Sequence, residues 1–386
     1  MKVAILSPYP TFPFAQQLGC QKVSYGNNAT WTVSLARWLA KIPDTEVHVV
    51  TESDDIPCSK NVLDGGATIH FIKVPARFKT LTFWQFDRLR LHRVLDEIRP
   101  DIVHGQGIES QYGYAAVTAR YPCILTIHGL SKLSNRVLDI PWLSRVRLVE
   151  LFEWYCMRKA RNIIVINPFI VDVLGLTPAR YNLFTIPNAI GERYFDVPPE
   201  PREENLLLAI GYADRLKAHD VLAKAMALLR RRKVACRAII AGPLTEGEYL
   251  ASLRKYIRDE GLDIQFAGYL PPEKLLPLLL RCTALVHPSR HDNSPVALGE
   301  AMATGTPVVA SRVGGIPNIV HDNETGLLFD SENAVQLADK LQYLLENKTA
   351  RHQLAEGGRE FARKTYHPSH VAALTRAAYQ EILSSV

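Results

Sequence analysis

The chain has 386 residues and a net charge of +6, from 45 Lys+Arg against 39 Asp+Glu. Apolar residues make up 47% and charged residues 22%, a globular balance that excludes a disordered or collagen-like chain. At roughly 150 residues per domain the length predicts two domains, and six excess charges over this length are too dilute to argue for nucleic-acid binding.

The amino terminus, MKVAILSPYP, predicts a strand running into a loop, because its apolar run is too short for a signal peptide and is cut by Pro8 and Pro10. No apolar run reaches the ~18 residues of a membrane-spanning helix. Strands are predicted at 3–6, 47–50, 69–74, 101–104, 123–128 and 162–166. After residue 200 they recur at 205–211, 236–242, 264–268, 283–288, 306–311 and 325–329. These are continuous apolar runs rather than alternating ones, which predicts parallel strands covered on both faces. Helix-period segments lie between them, such as Trp31, Leu35, Trp38, Leu39 and Ile42. Two successive β/α arrays predict two doubly wound α/β domains.

The pattern breaks near 190–204, where Pro198, Pro199 and Pro201 stand among acidic residues. This predicts domains over 1–190 and 191–365, with residues 366–386 as a helix able to pack back on the first. The six cysteines (20, 58, 123, 156, 236 and 282) form no C-x-x-C pair and read as reduced thiols of a cytoplasmic protein.

The segment 288–329 is the most informative. Ser294 before Pro295 predicts a helix start with a serine cap and proline at the first helical position. It follows a strand, so its N–H groups open at the carboxyl edge of a parallel sheet, where phosphates bind. A merely well-capped helix would show the same local pattern. Glu300 lies roughly 40° from Val296 and 60° from Ala297 around that helix, amid small residues. A carboxylate on such a close-packed face needs partners, and a nucleotide's ribose diol could supply them. Asp292, just outside the cap, could accept from sugar hydroxyls, or could serve only as a turn acid.

The order Asp292-x7-Glu300, then AMATGTPVVAS, GGIPNIV and TGLLF, resembles the retaining GT-B glycosyltransferases that use nucleotide-sugar donors. The resemblance implies two Rossmann-like domains facing a cleft, with the donor mainly on the second and a last helix crossing back. It implies a cytoplasmic enzyme of glycan biosynthesis that moves a sugar from a nucleotide sugar to a hydroxyl acceptor with retention of configuration. Carried onto this chain, it puts Glu300 on the ribose hydroxyls and Asp292 on the donor sugar, with Asn293, Ser294, Pro295 and Val296 along the diphosphate. In 209–226, Lys217 falls on the family's diphosphate-binding lysine, while Tyr212 and Ala218 stand where the family has arginine and glycine. Arg215 is a candidate second cation. Tyr269 and Leu270 fall where backbone meets the base, Gly26 and Asn27 at a phosphate or sugar contact, and His128 near the reacting sugar. No Asp-x-Asp triplet occurs, which accords with the metal-independent chemistry the resemblance implies, so no metal or other cofactor is expected.

Other classes leave different marks. An NAD-dependent oxidoreductase needs G-x-G-x-x-G between strand and helix, which is absent. A sugar-nucleotide-binding pseudoenzyme fits the substitutions at Tyr212, Ala218 and Asp292, and a nucleotide-sugar epimerase or hydrolase would share the fold. Residues 77–99 hold six basic and three acidic residues, and 130–162 seven and three, both interleaved with aromatics. Such a surface suits a peripheral contact with anionic membrane.

Overall fold

A computed structural model describes residues 1–20, 29–75, 84–141, 144, 147–198 and 200–385. It divides into two compact units. The first comprises Met1–Lys132, Ile140–Gly191 and Tyr366–Val386; the second comprises Leu133–Asp139 and Glu192–Thr365.

The first unit holds an eight-stranded sheet. Its strands are β1 (Lys2–Leu6), β2 (Glu46–Ser53), β3 (Lys60–Asp64), β4 (Ala67–Lys73), β5 (Ile102–Gln106), β6 (Cys123–Ile127), β7 (Asn162–Val165) and β8 (Asn182–Thr185). They lie in the order β3-β4-β2-β1-β5-β6-β7-β8, and only β3 runs antiparallel to its neighbour. Val3 to Leu6 are fully buried, as expected for a strand with helices on both faces. Sequence reasoning expects six strands here and omits β3 and β8. Both are edge strands with polar composition, KNVLD and NLFT, so neither carries the apolar run that marks a covered strand.

The last helix, Pro368–Ser384, belongs to this unit. Val371, Ala372, Ala378, Tyr379 and Ile382 join the core built on β1 and β2. The Tyr379 hydroxyl lies 2.6 Å from His104 Nδ1 on β5, and His104 Nε2 lies 2.6 Å from the Thr126 hydroxyl on β6. Burial lowers the His104 pKa to about 3, so a neutral ring ties the C-terminal helix to two strands.

The second unit holds β9 (Leu206–Ile210), β10 (Arg237–Ala241), β11 (Ile264–Gly268), β12 (Ala284–His287), β13 (Val308–Ser311) and β14 (Leu327–Phe329). Their order is β11-β10-β9-β12-β13-β14, and every pairing is parallel. The chain builds outward from β9 through β10 to β11, then restarts at β12 on the other side of β9. The crevice at the carboxyl ends of β9 and β12 is therefore the topological switch point, where doubly wound sheets bind ligands.

Candidate active site

Two loops meet at that switch point. After β9 the chain runs through 211–218 into the helix His219–Arg231; after β12 it runs through 288–295 into the helix Val296–Ala303. Lys217 Nζ, from the first loop, donates to Asp292 Oδ2, from the second, at 2.6 Å. Both side chains are largely buried, at 21% and 15% exposure. Burial favours protonation of Asp292, but the Lys217 ammonium and a hydrogen bond from His287 outweigh it and hold the carboxyl well below its ordinary range. His287 Nε2 lies 3.0 Å from Asp292 Oδ2 and 3.0 Å from Ser289 Oγ, and its ring is buried.

Glycines give these groups their positions. Gly211 has φ +147°, and a Cβ there would come within 2.9 Å of Lys217 Cγ, so its bare backbone leaves room for the lysine stem. Gly314 has φ +53°, and a Cβ would lie 2.0 Å from the Asp292 carbonyl oxygen. Gly315 N–H donates to that same carbonyl at 3.0 Å. The Gly-Gly pair is thus the seat on which the Asp292 loop rests. Ala218 takes the left-handed conformation, φ +54°, which explains why a glycine suits that position.

Arg290, which sequence reasoning does not single out, locks the two loops together. Its Nη1 donates to the Arg215 carbonyl at 2.7 Å and its Nη2 to Asp220 Oδ2 at 2.8 Å, while Nε engages Glu332. Arg215 itself is 57% exposed and pairs with Asp139 of the same compact unit. Its guanidinium is therefore engaged away from the Lys217–Asp292 pair.

The helix Val296–Ala303 begins differently from the expectation. Pro295, in extended backbone, is the cap residue, and no side chain caps the helix. Ser294 therefore does not act as a cap; the proline's fixed φ lets it end the loop one residue later than sequence spacing suggests. The Val296 N–H stands at an uncapped helix start facing the switch point. One turn on, Glu300 is 8% exposed and receives a hydrogen bond from the buried Tyr194 hydroxyl. Burial raises the Glu300 pKa to about 7, against the opposing effects of Tyr194 and the Arg193 charge. Asn293 is buried beside Asp292. Tyr269 and Leu270 follow β11 at the same carboxyl edge, two strands away from β9.

Within the second unit, then, Lys217, Asp292, Asn293, Ser294, Pro295, Val296 and Glu300 come together. His128 belongs to the first unit. It follows β6, and its Nε2 donates to Gln106 Oε1 at 2.8 Å; burial lowers its pKa to about 4. Gly26 and Asn27 lie outside the described residues. Sequence reasoning misses Tyr194, His287 and Arg290. Tyr194 stands in the stretch read as linker, and the other two flank Asp292 with no spacing that marks them.

Family comparisons divide at the same place as the chain. The model for glycosyl transferases group 1 matches residues 191–361, and that for glycosyltransferase family 4 matches residues 29–191. The chain belongs to the group 1 glycosyltransferases. Its relatives include the D-inositol 3-phosphate glycosyltransferase of Nocardioides sp., 32% identical over 48% of this chain and 43% of that one. The first relative is thus matched over less than half its length. The enzyme of the same name from Frankia alni is 28% identical over 86% and 89% of the two chains. Among solved structures, sucrose-phosphate synthase from Thermosynechococcus elongatus superposes with a TM-score of 0.79 at 18% identity, over 100% of both chains. HepE from Anabaena in complex with UDP-glucose gives 0.72 at 15%, also over 100% of both. At those identities the likeness is one of fold, and the glycosyltransferase has the GT-B architecture.

Proposed function

We propose that this glycosyltransferase moves a sugar from a nucleoside-diphosphate sugar to an acceptor hydroxyl, with retention at the anomeric carbon and without a metal. The observation that carries the reading is the buried Lys217–Asp292 pair, 2.6 Å apart at the switch point of the second sheet. As the bond from the anomeric carbon to the diphosphate breaks, negative charge collects on the leaving group, and a preorganised cation stabilises it. The Lys217 ammonium has three N–H bonds; one holds Asp292, and the others are available to diphosphate oxygens. The N–H groups of Ser294 and Val296, on either side of Pro295, which has none, add donors beside it.

Asp292, fixed as a carboxylate by Lys217 and His287, would accept from a hydroxyl of the donor sugar. Glu300 would accept from both ribose hydroxyls, and backbone at Tyr269 and Leu270 would meet the base. His128 would contact the reacting sugar. Arg215 has its own acid, Asp139, so a role on the diphosphate would require it to leave that partner. Among the described residues no side chain stands out as a nucleophile, so catalysis would rest on positioning and on charge stabilisation. The UDP-glucose complex named for the HepE structure makes uridine diphosphate sugars the first donors to try.

Four large apolar side chains are exposed on the helices of the two basic stretches: Phe86 and Leu89 on Gln85–Ile98, and Leu151 and Trp154 on Leu148–Lys159. They support a peripheral contact with anionic membrane, and liposome co-sedimentation without preference for anionic lipid would remove that part of the reading. No helix among the described residues is long and apolar enough to cross a membrane.

The test of the whole is a thermal-shift screen of uridine, guanosine and adenosine diphosphates and their sugars, followed by transfer assays with the donor found. NMR of the product should show the donor's anomeric configuration, and EDTA should leave the rate unchanged. An inverted product, a rate abolished by EDTA, or donor consumed with no transfer to any acceptor would overturn the proposal.

A further inference from the structure

On the first unit, the carboxyl ends of β1, β2, β5 and β6 enclose a cavity of about 440 Å³. Its charge is one-sided. Glu52, Asp54, Asp55 and Glu109 line it, the last with its pKa raised by burial, and no lysine or arginine does so among the described residues. The one basic ring, His128, is uncharged at neutral pH because burial lowers its pKa to about 4.

The carboxylates are held in place. Gln111 Nε2 donates to Glu52 Oε2 at 3.0 Å, and the Ile108 N–H donates to Glu109 Oε2 at 2.8 Å. Gly107, with φ +87°, lets Glu109 fold back against the strand end, since a Cβ there would lie 2.6 Å from Glu109 Oε1. A second observation points to a ligand. The Trp31 indole stands 5.0 Å from the His128 ring, centroid to centroid, and lines the cavity. Its Nε1–H is shut off from solvent and has no acceptor among the described residues. A buried donor is costly to leave unmet, and an oxygen-bearing guest would meet it.

We propose that this cavity is the acceptor site and that it selects a polyhydroxyl acceptor without a phosphate. Guest hydroxyls donate to carboxyl oxygens of Glu52, Asp54, Asp55 and Glu109, and a guest oxygen accepts from the Trp31 indole. The inference rests on reading the chain as a transferase to a hydroxyl acceptor. It also separates the chain from its relatives, whose names specify D-inositol 3-phosphate. A phosphate monoester carries close to two negative charges at neutral pH, and against this lining it would be repelled, with no lysine or arginine among the described lining residues to receive it. We expect that repulsion to weaken binding by about tenfold or more.

The test uses the full chain labelled with 5-fluorotryptophan. Of the five tryptophans, the Trp31 signal is identified by its loss in Trp31→Phe, and the other four report that the fold is intact. Three matched pairs are titrated at millimolar concentrations: glucose and glucose 6-phosphate, glucosamine and glucosamine 6-phosphate, myo-inositol and D-inositol 3-phosphate. The expected result is that the Trp31 resonance shifts with at least one unphosphorylated sugar, and that its phosphorylated partner binds about tenfold more weakly or not at all. In the double variant Glu52→Gln with Glu109→Gln, that gap should narrow. Binding of any phosphorylated member as tightly as its partner, a gap unchanged in the double variant, or no shift with any of the sugars would overturn the proposal. These outcomes are independent of Lys217→Ala, whose effect on transfer tests the donor site, so failure here leaves that reading standing.

Discussion

Replacing Glu300 by glutamine should strengthen the fold while weakening the donor site. The carboxyl is buried, and its pKa rises from an ordinary 4.5 to about 7. At ~1.4 kcal/mol per pH unit, that displacement corresponds to about 3 kcal/mol. Between pH 4.5 and 7 the native protein keeps the Glu300 proton while the unfolded chain has lost it. Stability therefore falls as pH rises through that window, and the whole penalty is present above about 7. Glutamine is neutral throughout and can still accept from the Tyr194 hydroxyl. Glu300→Gln should therefore match the wild type near pH 4.5 and exceed it by up to about 3 kcal/mol at pH 8. Urea denaturation at the two pH values, with equal slopes, measures the difference. Donor affinity should move the other way: about tenfold or more weaker in the variant, and in the wild type tighter as pH rises through about 7. A Glu300→Gln protein no more stable than the wild type at pH 8 would refute the argument from burial.

Gly314→Ala would set a Cβ 2.0 Å from the Asp292 carbonyl oxygen at φ +53°. It should cost about 1–3 kcal/mol and depress donor affinity, read by melting with and without nucleotide. Gly211→Ala, with its Cβ 2.9 Å from Lys217 Cγ at φ +147°, should lower kcat about tenfold by shifting the ammonium; an unchanged kcat would show that the lysine stem does not depend on this glycine. Tyr379→Phe removes the 2.6 Å bond to His104, and should cost about 1–2 kcal/mol in urea denaturation while leaving transfer intact.

Much of the second unit can be read from its sequence, because all six of its strands lie in apolar runs and all but β13, which leads only into the short turn Ile316–Asn318, are followed by a periodic helix. The edge strands Lys60–Asp64 and Asn182–Thr185 cannot be read in this way, since an edge strand lacks the double cover that forces an apolar run. The motif residues Lys217, Asp292 and Glu300 are visible for their chemistry, but what supports them is visible only in three dimensions. Arg290 reads as a loop cation until its fork is seen gripping Asp220 and the Arg215 backbone. Tyr194 lies more than a hundred residues from Glu300 in a proline-flanked stretch that reads as a connection. Ser294 shows the opposite failure, a strong capping signal at a helix whose cap is Pro295. An arriving diphosphate benefits from N–H groups that a serine side chain has not already satisfied.

The central claim is that the switch point of the second sheet binds and activates the donor through Lys217. With a donor chosen by the nucleotide screen, steady-state transfer by Lys217→Ala tests it most directly, with circular dichroism to show that the fold is retained. Loss of this cation should lower kcat/KM by about 100- to 1,000-fold, the range seen when a preorganised charge-stabilising donor is removed. A folded Lys217→Ala protein within about threefold of the wild type, or less than ~0.7 kcal/mol in transition-state stabilisation, would contradict the account.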